Sequence, residues 1–223
     1  MLGPDTEAEV LVTAHVDGHD ISEGALDNAS GVATMLEAGA GLAALADELE
    51  TTVRLVGFGA EELGLKGSRR YADEADLDRV RAVVNCDGAG RARTLQIRTC
   101  GFDALGEAAR ETADAFDQPV QVRPGIAAHS DHWPFVWRGI PGAQASSDTG
   151  SGRGFGHTFA DTLDKTDRRA IRTHGILVAD VVRRVAEADR EVPRRDPAGI
   201  RDELVADAED VSMRVAGEWP FAE

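Results

Sequence analysis

The chain has 223 residues, 42% of them hydrophobic, enough to bury one sizeable core and too few for two full-sized domains. Its formal net charge of −16 excludes a nucleic-acid backbone or an anionic membrane surface as partner unless a local basic patch is present. No run of about 18 apolar residues occurs, and residues 1–10 carry acids where a signal peptide needs a basic start, so the expectation is a cytoplasmic chain without a membrane span.

Apolar runs bounded by turn residues alternate with segments of helical period, the pattern of an α/β layer architecture with a largely parallel sheet. Residues 9–16 read as a buried strand delivering His15 and Asp17. Residues 28–46 carry Val32, Met35, Leu36, Leu42 and Leu45 at helical spacing, with Gly39 and Gly41 weakening the middle. A second strand, 52–59, leads to Glu61 and Glu62; a short helix covers 66–75, and a third buried strand, 81–87, ends in Asp87. Strand 94–99, amphipathic helix 102–116 and strand 120–123 follow, then a helical turn over 130–137 and a short strand, 142–146, after Pro141. A glycine-rich loop, 150–156, leads to His157. The helix over 167–188 places Ile171, Ile176, Leu177, Ala179, Val182 and Val185 on its buried side. Residues 193–197 read as a linker, which divides the chain into a main domain, 1–192, and a segment, 193–223, holding a linker and a helix or loose tail.

Cys86 and Cys100 are the only cysteines, so neither a disulfide framework nor a cysteine zinc site is indicated. The only lysines are Lys66 and Lys165, against many acids and alanines. That bias resembles proteins of salt-saturated cytoplasm, of halophilic archaeal type, in which salt screens the repulsion of a dense carboxylate surface.

In open α/β sheets ligands bind outside the carboxyl ends of the strands. Three successive strands here end in metal-type donors: His15 and Asp17, then Glu61 and Glu62, then Asp87. Singly, each is more often a cap or a loop residue. Together with Asp27 and His157 they suit two divalent cations, because Asp27, Glu62, Asp87 and a hydroxide balance four positive charges and neutral imidazoles complete the coordination. Asp17 lies two residues beyond His15, so on an extended strand its carboxylate points the same way and orients the imidazole; the plainer reading is an acid at a loop start.

Six segments carry a family resemblance: AHVDGHD (14–20), GALDNASGVA (24–33), FGAEELGLKGS (58–68), VVNCDGAG (83–90), SDHWPF (130–135) and GHTFADTLDK (156–165). In this order they closely resemble the co-catalytic zinc aminopeptidases, relatives of glutamate carboxypeptidase, and cover roughly residues 9–190. The resemblance implies a three-layer α/β/α zinc-exopeptidase fold with a mostly parallel mixed sheet. Carried over position by position, it implies that Asp27 bridges two zinc ions, with His15 and Asp87 on one and Glu62 and His157 on the other. Cobalt or manganese are possible replacements. Glu61 becomes the general base towards the water between the ions, and the Asp27–Asn28 peptide is expected to be cis. His132 becomes a candidate contact for the substrate, a peptide or small amide, while Trp133 and Phe135 are as readily core. Asp161 and Asp164 either support the His157 loop or cap a helix; His19, His129 and His174 receive no role.

The family usually carries a further strand and helix before the HxD motif, so an exposed sheet edge and self-association are expected here. Arg138 and Arg153 keep a carboxypeptidase open beside the favoured aminopeptidase. A single-zinc glutaminyl cyclase and a non-catalytic binding homologue are the remaining alternatives; the full set of donors, with the base, argues against both.

Overall fold

The structure, a computed structural model, describes residues 1–150 and 154–221. Strand β1 (Glu9–His15) is buried along its whole length, because it lies inside the sheet and both faces are covered. Alternation divides its side chains: Val10, Val12 and Ala14 enter the larger core cluster, while Leu11 enters the smaller one with Phe58, Val83 and Phe135. A fully buried leucine such as Leu11 contributes about 1.5–3 kcal/mol.

β2 (Thr52–Phe58) and β3 (Val80–Cys86) flank β1 in parallel. β6 (Gly142–Ser147) runs parallel to β3, β4 (Leu95–Arg98) antiparallel to β6, and β5 (Val120–Arg123) parallel to β4. The order is β2-β1-β3-β6-β4-β5, a mostly parallel mixed sheet. The carboxyl ends of β1, β2, β3 and β6 therefore open on one rim.

The larger cluster is closed by α1 (Ser30–Ala44), α3 (Asp103–Phe116) and α5 (Arg168–Val185). Ala72 of α2 (Lys66–Glu74) and Phe135 of α4 (Trp133–Val136) cover the smaller one. Asp167 caps α5 by accepting from the amide of Arg169 at 2.8 Å, and Arg183 and Arg184 in the last turn face the negative helix end. Gly39, unfavourable in a helix by propensity, lets Leu55 pack close: a Cβ there would lie 2.4 Å from the Leu55 Cδ2 methyl, which would have to shift.

Several boundaries differ from the sequence reading. β1 stops at His15, and Val16 is 61% exposed. α1 begins at Ser30 because Ala25–Ala29 form a separate π-type turn, and of 130–137 only Trp133–Val136 are helical. The end of the chain forms two helices, α6 (Pro197–Ala206) and α7 (Glu209–Ala216), separated at Ala208, whose φ of 59° ends the helical run. Ile200, Leu204 and Met213 from this pair are buried in the larger cluster. Beside the outer strand β2, Leu2 makes an isolated antiparallel bridge to Val53. Among the described residues no helix is long and apolar enough to cross a membrane.

Candidate metal centre

His15, the last residue of β1, is 1% exposed and brings Nε2 close to two carboxylates: Asp27 Oδ1 at 3.1 Å and Asp87 Oδ1 at 3.7 Å. Its Nδ1 lies 3.1 Å from the Asp17 carbonyl oxygen and 3.6 Å from the Asp17 carboxylate. The carbonyl thus orients the ring, because the strand ends before residue 17 and the alternation that the sequence reading assumed no longer holds. The Asp17 carboxylate turns instead to the backbone amides of Glu61 and Glu62, accepting at 3.1 and 3.3 Å.

The Glu61–Glu62 pair stands on a turn after β2 in which Ala60 is left-handed at φ 58°, a conformation costing about 1 kcal/mol or more. Asp17 holds that turn against the end of β1. Asp27 leaves the π-type turn, and its peptide to Asn28 is cis. Asp161, 1% exposed, accepts from the amides of Leu26 at 2.6 Å and Asp27 at 3.0 Å. It therefore braces Asp27 rather than the His157 loop. Asp164 is exposed and engages Thr162 and Lys165. Asn28 donates to the Cys86 carbonyl at 2.9 Å and accepts from Gly31 and Gly88, so the loop carrying Asp27 is tied to the end of β3. Gly31 must lack a side chain, since a Cβ would lie 2.1 Å from Asn28 Oδ1.

Asp87 is positioned by a polar chain on one sheet face. Thr13 donates to Asn85 at 2.7 Å, Asn85 to Ser130 at 2.7 Å and Ser130 to Asp87 Oδ2 at 2.6 Å, with Gln144 adding 3.2 Å from Nε2. These partners occupy Oδ2 and leave Oδ1 for His15. Asn85, Ser130 and Gln144 were not singled out in the sequence; the polar Asn85 inside an apolar strand was the available signal.

His157, left-handed at φ 61°, brings Nε2 to 3.0 Å from Asp27 Oδ2 and 3.1 Å from Glu62 Oε2. His19, which lies in the AHVDGHD segment but received no role there, puts its own Nε2 3.0 Å from the same Glu62 oxygen. Five predicted donors, His15, Asp27, Glu62, Asp87 and His157, thus meet at one rim of the sheet. Glu61 joins His15 and Asp87 in a further group of donors.

The donor chemistry fits divalent cations. His15 Nε2 and Glu62 Oε1 are buried without a hydrogen-bond partner. Donors 3.0–3.1 Å apart match two ligands of one ion, since bonds of about 2.0–2.1 Å at tetrahedral angles put ligand atoms about 3.3 Å apart. Without cations the crowded acids distort each other's titration. Burial, reinforced by Asp87, Asp131 and Glu62, raises the Glu61 pKa to about 8, and burial with Asp27 raises that of Glu62. Burial opposes a charge on His15, but the adjacent carboxylates of Asp27 and Asp87 outweigh it and lift its pKa to about 11.

A cavity of about 620 Å³ opens on this cluster, and Asp27, Glu61, Glu62, Asp87, His157 and Arg98 are among its lining residues. The structure does not bring His132 to it. That ring is fully buried at the start of α4, its Cβ side packed towards Gly142 of β6, whereas His129 lines the cavity. Trp133 and Phe135 are core. Arg138 is engaged by Pro134 and Asp73, and Arg153 lies outside the described residues. His174 is structural: its Nδ1 accepts from the Gly90 amide at 3.3 Å.

Burial pushes the His132 pKa down to about 4 from 6.5. The unfolded chain therefore takes up this proton first, so the contribution is fully present above about pH 6.5 and is lost as pH falls towards about 4, on the order of 3 kcal/mol. In urea melts across that window the wild type is expected to lose stability more steeply than His132→Gln; parallel curves contradict the assignment.

Fold and site together define a class: an α/β sheet whose strand ends gather carboxylates and imidazoles into a cluster of donors that suits divalent cations. The chain belongs to peptidase family M28, whose sequence profile matches residues 1–182. It is 31% identical over 216 residues to aminopeptidase YwaD of Bacillus subtilis (strain 168), covering 91% of this chain and 45% of that protein. With carboxypeptidase Q of Mus musculus it shares 28% identity over 194 residues, 84% of this chain and 40% of the relative. Its structure is similar to that of BSAP, a zinc aminopeptidase from Bacillus subtilis, with a TM-score of 0.72, 25% identity, and 88% of this chain and 52% of that one covered. The chain thus spans less than half the length of the two curated relatives.

Proposed function

We propose that the chain is a metallopeptidase holding two zinc ions, one between His15, Asp27 and Asp87 and the other between Asp27, Glu62 and His157, and that it releases N-terminal residues from peptides. The reading is carried by the meeting of these five donors with Glu61 at the edge of one cavity, and the zinc aminopeptidase neighbour supports the choice of metal. When bound, the cations supply an acidified water and a polarised scissile carbonyl; cobalt or manganese can occupy the same oxygen and nitrogen donors. Glu61 would take a proton from such a water and return it to the leaving amine. Asp17 holds the amides of Glu61 and Glu62, which fixes the base relative to the donor beside it.

One observation favours a carboxypeptidase as second reading. Arg98 lines the cavity, and its guanidinium makes no hydrogen bond or ion pair with any described residue, leaving it available to a substrate carboxylate. Aminoacyl and N-blocked chromogenic peptides assayed side by side with zinc, cobalt and manganese separate the two. Hydrolysis of the free-amine substrates is expected. Cleavage of only the blocked ones overturns the aminopeptidase choice, and cleavage of neither overturns the peptidase reading.

The charge of −16 also supports a working medium of high salt. Since the screening length falls from about 10 Å at 0.1 M to about 3 Å at 1 M, the melting temperature is expected to climb through this range of KCl. A melting temperature that is independent of salt contradicts it.

A further inference from the structure

We infer that His19 is a ligand of the metal centre, binding through Nε2 the same cation as Glu62 and His157; the inference rests on the metallopeptidase reading above. His19 Nε2 lies 3.0 Å from Glu62 Oε2, and His157 Nε2 lies 3.1 Å from that same oxygen. The donor atoms of the three residues all fall within 4.8 Å of one another.

The plain alternative is a half-exposed histidine hydrogen-bonded to a glutamate. The geometry disfavours it. His19 Nε2 is buried and makes no hydrogen bond, although the carboxylate oxygen is close enough for one. A short distance with poor alignment means that the nitrogen and the oxygen do not point at each other. His15 Nε2 shows the same combination, 3.1 Å from Asp27 Oδ1 and without a hydrogen bond. Two ligands of a common ion have this relation, because both aim at a third point and stand about 3.3 Å apart for bonds of about 2.0–2.1 Å.

The local chain is built to present the ring. Ser22 donates from its amide to the His19 carbonyl at 3.2 Å, closing a turn four residues after His15. The His19 and His157 rings meet edge to face with centroids 4.2 Å apart, while both Nε2 atoms lie within 3.1 Å of the same Glu62 oxygen. The Glu62 side of the centre then has one more protein donor than the His15 and Asp87 side, which leaves the latter as the more open position for substrate.

X-ray absorption at the zinc edge of the full chain loaded with two equivalents tests the inference without a variant. Three imidazoles per chain are expected, from His15, His19 and His157; two overturn the assignment of His19 and leave the metallopeptidase reading standing. A chain that binds no zinc overturns both. His19→Ala adds a second readout: zinc affinity in chelator competition is expected to fall for one of the two ions by more than about 10-fold, the lower bound for losing even an indirect partner of a ligand. The melting temperature of the metal-free variant should match that of the metal-free wild type. A smaller loss of affinity overturns the proposal.

Discussion

Glu61→Gln is expected to lower kcat by about 10²–10⁴-fold while the zinc content of the chain stays unchanged. Glutamine keeps the shape of the side chain but offers no group that can take and return a proton. The Glu61 carboxylate lines the cavity, and the amide of the residue is held by Asp17 at 3.1 Å, so the substitution should leave the turn in place. Because Glu61 also stands with His15 and Asp87 in a group of potential donors, metal analysis must accompany the kinetics. Loss of zinc together with loss of rate makes Glu61 a ligand; an unchanged rate removes it as the base.

Asp27→Asn is expected to abolish turnover and to weaken both ions, each by more than about 100-fold, since partners one step removed from a ligand already cost 10–100-fold. Asp27 faces both halves of the centre, with Oδ1 3.1 Å from His15 and Oδ2 3.0 Å from His157. Asparagine replaces one of these oxygens by a nitrogen that cannot accept, and it removes a negative charge from the balance of the pair. Dialysis against graded free zinc, followed by metal analysis, reads the effect. Normal retention of one ion shows that Asp27 does not bridge.

The parts of the fold legible in the sequence were those set by local pattern. β1 and β3 lie inside a largely parallel sheet, so they read as continuous apolar runs, and the acids after β2 and β3 stood out against them. The antiparallel pairing of β4 with β6 was not legible, because register across the sheet depends on contacts that no local window contains. The donors His15, Asp27, Glu62, Asp87 and His157 were recognised through their motifs, and the structure gathers them. His132 carried a motif but faces inward, since the short α4 turns it against β6. His19 lay within a motif segment without an assigned role and reaches the centre through a loop whose course no periodicity predicts. The supporting groups were the least visible. Asp161 acts on Leu26 and Asp27 across 135 and 134 residues of chain, and Ser130 acts on Asp87 across 43.

Counting metal ions on the chain tests the central claim most directly. After incubation with zinc and gel filtration, elemental analysis is expected to find two ions per chain. A wild-type chain that retains none, or only one at saturating zinc, contradicts the centre described here.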